Sequence, residues 1–264
     1  MKKYPLFMIL LFLLFYALPL GTSCSGLNLF SVDDDKQLGA QVDAEIQSDP
    51  ANYPLLKESS YPDAYAYLRG IRDEILSSGK VAHAADFDWQ LHLIDDETVL
   101  NAFCTPGGYI YIYSGLIKYL DTEDALAGVL GHEMAHAAER HVTEALTEQY
   151  GVDLLLEAAL GTKLDIVKNI AGGLSGLAFS RANESEADAR SVEYLAGSRY
   201  ECDGVGLFFE KLISNGDASS PPEFLSTHPS PDNRIEAIDK KVSVLGCNTT
   251  PSGRDYNAFK AMLP

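Results

Sequence analysis

Apolar residues at Leu38, Val42 and Ile46 recur at four-residue intervals between Asp33 and Ser48, and Tyr65, Leu68, Ile71 and Ile75 keep much the same spacing after Pro62. That period predicts two amphipathic helices. Between Asp86 and Ser114 the pattern shortens to two: Trp89, Leu91 and Leu93 alternate with Gln90 and His92, and Tyr109-Ile110-Tyr111-Ile112-Tyr113 is dense in residues that suit a pleated surface. Two strands are expected here, with Thr105-Pro106-Gly107-Gly108 as the bend before the second. Beyond Ser114 the chain reads as helical. Asp121 or Thr122 caps a helix whose first turn is acidic and whose interior, Ala125 to Ala138, is apolar almost all round. A helix of that kind is buried. Further helices are expected over about 143–160, 163–179, 181–197, 204–214 and 232–244, with a break or mobile cover at the Gly-rich interval 171–176. The fold class that follows is α+β, mainly helical, with a small sheet beside the buried helix.

The first two dozen residues read differently. Lys2 and Lys3 precede an uninterrupted apolar run from Leu6 to Leu18, followed by Pro19 and the small residues Gly21, Thr22 and Ser23. This is the layout of a secretory signal peptide, and the run is short of the roughly 20 apolar residues that span a bilayer. Leu20-Gly21-Thr22-Ser23-Cys24 resembles a bacterial lipobox, with Gly21 where Leu, Val or Ile is usual. Lipidation at Cys24 is the expectation, and ordinary cleavage releasing a soluble periplasmic protein is the alternative. The chain is then divided into a lipoprotein-type signal peptide over 1–23, a short tether over 24–32 and a single folded domain over 33–264. Ser25 in the second position resembles sorting to the outer membrane, so the expected place is the periplasmic side of the cell envelope, held by the lipid anchor alone.

Charge and cysteines narrow the choice further. In 264 residues there are 38 Asp and Glu against 20 Lys and Arg, a formal charge of −18, with no basic block beyond Lys2-Lys3. Such a chain repels a phosphate backbone, which excludes nucleic-acid binding as a main role. Of the four cysteines, Cys202 and Cys247 are plausible disulfide partners in an oxidising envelope, although any pairing among Cys104, Cys202 and Cys247 is open from sequence. Cys104, in a strand-like apolar stretch, reads as a buried small hydrophobe.

The chemistry lies in the buried helix, where His132-Glu133-Met134-Ala135-His136 forms an H-E-x-x-H motif. Positions i and i+4 are about 40° apart around a helix, so both imidazoles face the same way and can bind one Zn²⁺ ion per chain. Glu133 falls beside them, able to take a proton from metal-bound water. An apolar helix gains nothing from burying two His and a Glu without a partner, and a metal is that partner. A catalytic zinc needs a third protein ligand. The metzincin continuation is absent, since Glu139 and Val142 stand where Gly and His would be. His141, nine residues after His132 and about half a turn round, is expected to point away and to serve packing or a local hydrogen bond. The better candidate is in Ser180-Arg181-Ala182-Asn183-Glu184-Ser185-Glu186-Ala187-Asp188, where Glu184 and Asp188 share a helical stripe and Glu186 faces the opposite side. His83 and His92 read as ordinary solvated residues.

Four segments together resemble metallopeptidase family forty-eight, the group that includes HtpX, the CAAX prenyl proteases and the envelope proteases BepA and LoiP. In order they are Asn101-Ala102-Phe103-Cys104-Thr105-Pro106-Gly107-Gly108, Gly131-His132-Glu133-Met134-Ala135-His136, Arg181 to Asp188, and Ser226-Thr227-His228-Pro229-Ser230-Pro231-Asp232-Asn233-Arg234-Ile235. The resemblance implies a zincin-like (gluzincin) domain with His132, His136 and Glu184 as zinc ligands, Glu133 as general base and Asp188 holding a ligand from behind. It implies an edge strand at Asn101, Ala102 and Phe103 that pairs with an extended substrate backbone. His228 resembles a histidine that either stabilises the oxyanion or closes the metal's open position as a latch, and Arg234 would anchor its loop. Without the extra transmembrane helices or helical repeats of larger relatives, the chain looks like a minimal envelope member.

The activity expected is that of a zinc metalloendopeptidase cutting unfolded or misassembled envelope proteins, through a zinc-bound water activated by Glu133. A latched, chaperone-like binder of unfolded outer-membrane proteins is the rival. A closed structural zinc site is disfavoured because such sites commonly use four protein ligands rich in Cys, and the cysteines lie outside the motif.

Overall fold

The computed structural model describes residues 30–215, 223–228 and 233–264. The leader, Cys24 and positions 229–232 of the last motif lie outside the described residues. Helix α1 (Val32–Ser48) opens on a capping box, with Ser31 Oγ accepting from the Asp34 N–H and the Asp34 carboxylate accepting from the Ser31 N–H. Helix α2 (Pro62–Ser77) begins with proline in its first turn, where the missing N–H costs nothing. Both elements were legible because one face of each is apolar at helical spacing.

Three strands follow, two where the alternation predicts them and a third where the family resemblance implies an edge strand: β1 (Gln90–Ile94), β2 (Ala102–Thr105) and β3 (Tyr109–Tyr113), in the order β1-β3-β2. All four residues of β2 are buried, so Ala-Phe-Cys-Thr shows none of the alternation by which a half-exposed strand is recognised. β2 and β3 form an antiparallel hairpin in register Ala102 to Ile112 and Thr105 to Tyr109, with Gly107 and Gly108 at φ +77° and +88° in the turn. β1 runs parallel to β3, pairing Gln90 with Tyr109 and Ile94 with Tyr113.

The short helix α3 (Ser114–Tyr119) leads into α4 (Glu123–Ala138), every residue of which is buried. Thr122 supplies the cap by accepting from the Ala125 N–H, and Glu123 and Asp124 occupy the positive end of the helix dipole. The segment 143–160, expected as one helix, is two: α5 (His141–Tyr150) and α6 (Val152–Ala159), parted at Gly151 with φ +82°. Next come α7 (Leu164–Gly173), ending in a 3-10 turn at Leu174–Gly176, and α8 (Arg181–Leu195). The helix expected over 163–179 therefore stops early, at the paired Gly172 and Gly173. The described chain continues through α9 (Gly204–Ser214), α10 (Glu223–Thr227), α11 (Arg234–Leu245) and α12 (Tyr256–Lys260).

Two glycines set how closely α4 meets its neighbours. A methyl group on Gly128 would stand 2.0 Å from the Val205 backbone nitrogen, and one on Gly131 would meet Ser191 Oγ at 2.9 Å. With hydrogen there instead, α9 presses against α4 backbone to backbone and α8 closes in through Ser191, whose Oγ donates to the Gly128 carbonyl at 2.7 Å. This contact brings the acidic face of α8 to the histidines of α4.

One histidine expectation needs correction here. His92 is largely shielded: its Nε2 lies 2.8 Å from Asp43 Oδ1 and its ring stacks on Tyr111 at 4.8 Å, because helix α1 covers this face of the sheet. Asp43 also accepts from the Tyr111 hydroxyl at 2.5 Å. His83 is closer to expectation, a partly exposed residue 3.0 Å from Asp86. Cys202 and Cys247 are joined in a disulfide with Cα atoms 6.2 Å apart, and Cys104 is a buried free thiol. Among the described residues no helix is long and apolar enough to cross a membrane.

Candidate active site

His132 and His136 project from successive turns of α4 with their Nε2 atoms 3.0 Å apart. Glu184, in the first turn of α8, faces both: one carboxylate oxygen is 3.3 Å from His136 Nε2 and the other 3.6 Å from His132 Nε2. Ser180 fixes the start of that helix by accepting from the Asn183 N–H at 3.1 Å, which puts Glu184 four residues past the cap, facing inward. His228, just beyond α10, completes the cluster. Its Nδ1 lies 3.0 Å from Glu184 and 3.3 Å from His132 Nε2, and its Nε2 lies 3.5 Å from Glu133. One atom from each of His132, His136, Glu184 and His228 falls within 4.8 Å of the others, and all four residues are buried.

A metal fits this arrangement on chemical grounds. Three imidazoles and a carboxylate are the donor types that zinc takes, and their converging nitrogens have no protein hydrogen to share among all of them. Both Glu133 oxygens are buried and make no hydrogen bond among the described residues. Buried acceptors are rarely left so unless something absent from the protein itself meets them.

A second tier supports the first. Asp188, one turn after Glu184, lies 3.0 Å from His132 Nδ1, and Arg234 grips its carboxylate at 2.6 and 2.7 Å. The same guanidinium reaches Glu184 at 3.1 Å and the His228 carbonyl at 3.3 Å, so it ties α11 to the ligand helix and to the His228 segment together. Aromatic rings hold the imidazoles flat: Phe179 stacks on His136 at 4.0 Å and Phe224 on His228 at 4.2 Å. Neither phenylalanine stands in the motifs, and their periodicity gives no signal for them.

His141 requires a correction. It was expected to point away on a continued helix, but α4 ends at Ala138 and the chain turns at Arg140, which has φ +63°. The new helix swings His141 back so that its Nδ1 lies 3.1 Å from His136 Nδ1.

Burial and neighbouring charge set the protonation of the site. Burial pushes Glu133 up to about 7, although the nearby His228 opposes the rise. Burial also acts on Glu184, but contacts with His136 and His228 outweigh it and hold the carboxylate well below its ordinary range. Asp188 is likewise held low by Arg234 and His132 against the effect of burial. Burial lowers His132 and His136, which keeps their ring nitrogens free as ligands. His228 moves the other way, because Glu133 and Glu184 overcome its desolvation.

Asn101, Ala102 and Phe103 lie beside this cluster at the outer edge of the sheet, all buried. Asn101 caps the edge: its Oδ1 accepts from the Ala102 N–H, and its Nδ2 donates to the Ser175 carbonyl at 3.1 Å. The Phe224 N–H donates to the Leu100 carbonyl at 3.2 Å. The Gly-rich segment expected as a cover therefore touches the edge strand through its 3-10 turn.

A family model described as Peptidase family M48 matches residues 63–242. The chain is 28% identical over 251 residues to the beta-barrel assembly-enhancing protease of Yersinia pestis, covering 90% of this chain and 49% of that protein. Against the protein of the same name from Escherichia coli K12 the identity is 27% over 256 residues, 92% of this chain and 50% of the relative. The mitochondrial metalloendopeptidase OMA1 of Arabidopsis thaliana is 34% identical over 184 residues, 69% of this chain and 37% of the relative. The chain thus spans about half the length of the two bacterial relatives.

Proposed function

The chain belongs to peptidase family M48, and from that premise we propose that it is a zinc-dependent endopeptidase that hydrolyses peptide bonds in unfolded or misassembled cell-envelope proteins. One observation carries the reading: a buried Glu133 carboxylate without a hydrogen bond among the described residues stands directly beside converging His132, His136 and Glu184. His132, His136 and Glu184 would hold the ion. Zinc, when bound, supplies a Lewis acid that polarises the scissile carbonyl and acidifies water.

The protein's own groups do the rest. Glu133 takes the proton of the attacking water and passes it to the leaving amine; its raised affinity for protons suits both halves of that transfer. Asp188 and Arg234 keep His132 in place. Pairing of an extended substrate along the edge strand β2 would favour unfolded polypeptide over any one side chain, and it requires that the strand, buried here and with its Ala102 N–H met by Asn101, be uncovered first. The bacterial relatives named for beta-barrel assembly support an envelope setting. With the lipobox-like Cys24, this fits a single peptidase domain tethered on the periplasmic side of the outer membrane.

A second reading rests on His228, which sits among the metal-binding atoms rather than at a distance from them. Such a ligand would close the open position and leave a protein that binds unfolded outer-membrane proteins with little cleavage. One experiment addresses both: digestion of casein by a soluble form that starts at Ser25, just after the lipid-bearing Cys24, wild type against Glu133→Gln and His228→Ala, with and without chelator. We expect cleavage that chelation abolishes and that Glu133→Gln slows by about 10² to 10⁴-fold, the usual worth of a general base. A zinc-loaded wild type that does not cut, but cuts after His228→Ala, selects the latched form. No cleavage by either refutes the peptidase reading.

A further inference from the structure

We infer that His141 is a positioning residue for the metal site, receiving the Nδ1–H of His136 on its own Nδ1 and passing the restraint on to the carboxylate of Glu186. The inference rests on the proposed zinc site and adds to it a residue that the H-E-x-x-H spacing does not reveal.

The geometry divides the support of the two histidine ligands between different partners. His132 has Asp188 behind it at 3.0 Å. His136 has no carboxylate behind its Nδ1; the atom it meets there is His141 Nδ1 at 3.1 Å, with the two rings at 73° to one another. Two facing Nδ1 atoms make a hydrogen bond only when one carries hydrogen and the other does not. For His136 to present a bare Nε2 to an ion, its hydrogen must be on Nδ1, so His141 is the acceptor and carries its hydrogen on Nε2. That Nε2 lies 3.6 Å from Glu186 Oε2, the only kind of partner this assignment allows. Glu186 is half exposed and also contacts Arg190 at 3.5 Å, so the chain of contacts runs from the buried site to the surface of α8.

The backbone is shaped to make this contact. A continued α4 would carry His141 to the far side, and the turn that prevents it places Arg140, a residue with a Cβ, in the left-handed region at φ +63°. That conformation is strained for a non-glycine residue and persists where surroundings enforce it. Here the Arg140 guanidinium is tied to Asp35, the Phe30 carbonyl and the Ser31 carbonyl at the start of α1. Phe179 lies flat on the other face of the His136 ring, so rotation of the imidazole is restricted by stacking and by the Nδ1 contact together.

Zinc affinity of the mature chain, measured by competition with a chromophoric chelator, tests this without reference to turnover. His141→Ala is expected to weaken zinc binding by about 10 to 100-fold, the usual effect of losing a ligand's hydrogen-bond partner. His141→Asn places an amide oxygen near the lost Nδ1 and is expected to restore most of the affinity. Glu186→Ala, at an exposed position that leaves the fold intact, is expected to weaken binding by about 3-fold as the outer end of the same support. Wild-type affinity in both His141→Ala and Glu186→Ala overturns the inference while leaving the zinc site standing. Equal losses in His141→Ala and His141→Asn reduce His141 to packing. A wild type that takes up no zinc overturns the metal site itself, and this inference with it.

Discussion

Asp188 faces His132 Nδ1 at 3.0 Å while both of its oxygens are held by Arg234. The carboxylate is thus shared between a proposed ligand and a buried cation from another helix. Asp188→Asn keeps the shape but leaves the guanidinium, among the described residues, with Glu184 as its remaining ion-pair partner, 3.1 Å away. Breaking one partner out of a buried ion pair costs about 3 kcal/mol or more, and weakened support of a ligand lowers metal affinity by about 10 to 100-fold. Calorimetric melting and zinc titration of the variant should show both losses. Unchanged values in both would make Asp188 a bystander.

The close crossing of α4 with α9 makes a second prediction. A Cβ at Gly128 would fall 2.0 Å from Val205 N and 2.1 Å from Gly204 C, and backbone cannot swing aside as a side-chain tip can. Gly128→Ala should therefore destabilise the fold by about 2 kcal/mol or more through overpacking. Gly172 in α7 has nothing within 4 Å of the same added atom. Gly172→Ala should be neutral or stabilising by up to about 1 kcal/mol, because alanine is the better helix former. Urea unfolding of the two variants side by side checks the contrast, and equal midpoints would contradict it.

What the sequence discloses and what it hides divide along physical lines. The spacing of His132 and His136 converts to a shared face by helix geometry alone, and Leu38, Val42 and Ile46 announce α1 because only one side of it is buried. Glu184 and Asp188 share a face for the same reason, but that this face meets α4 depends on Gly128 and Gly131, whose role is visible only once the helices are packed. β2 left no trace in the alternation because both of its faces are covered, and only the family resemblance pointed to it. The reversal of His141 was hidden because a left-handed Arg140 leaves no mark in residue type; glycine or asparagine there would have signalled the turn. His92 looked solvated because nothing in its strand reveals that Asp43 of α1 comes to lie against it.

The Cys202–Cys247 disulfide closes a segment that carries α9, α10 and α11, with the Cys202 N–H also donating to the Asn248 carbonyl at 2.8 Å. A cross-link between positions 45 apart restricts the unfolded chain by about 4 kcal/mol in the loop-entropy account. Cys202→Ser with Cys247→Ser, compared with wild type by denaturant unfolding, should show a loss of that order. In the presence of reductant the gap should shrink towards zero. A gap unaffected by reductant would show that the bond is not what separates them.

Glu201 gives a prediction for pH. It is buried just ahead of α9, where Asp124, Asp203 and Glu210 surround it with like charge, and burial first and these carboxylates second push it up to about 7. The folded protein therefore holds this proton up to near pH 7, whereas the unfolded chain releases it near the ordinary value of 4.5. Stability from this group is complete below about pH 4.5 and is lost as pH rises through 7. One pKa unit corresponds to about 1.4 kcal/mol; halved for the water that reaches this edge, the loss is roughly 2 kcal/mol. Glu201→Gln removes the titration and keeps the shape. Its stability relative to wild type should be level near pH 4.5, rise through pH 6 and stay constant above about pH 8. Other carboxylates titrate across the same range, but they do so in both proteins and drop out of the difference. A difference that does not vary between pH 4.5 and 8 would mean that Glu201 titrates in the folded state as it does in the unfolded chain, and that its acidic neighbours are screened from it.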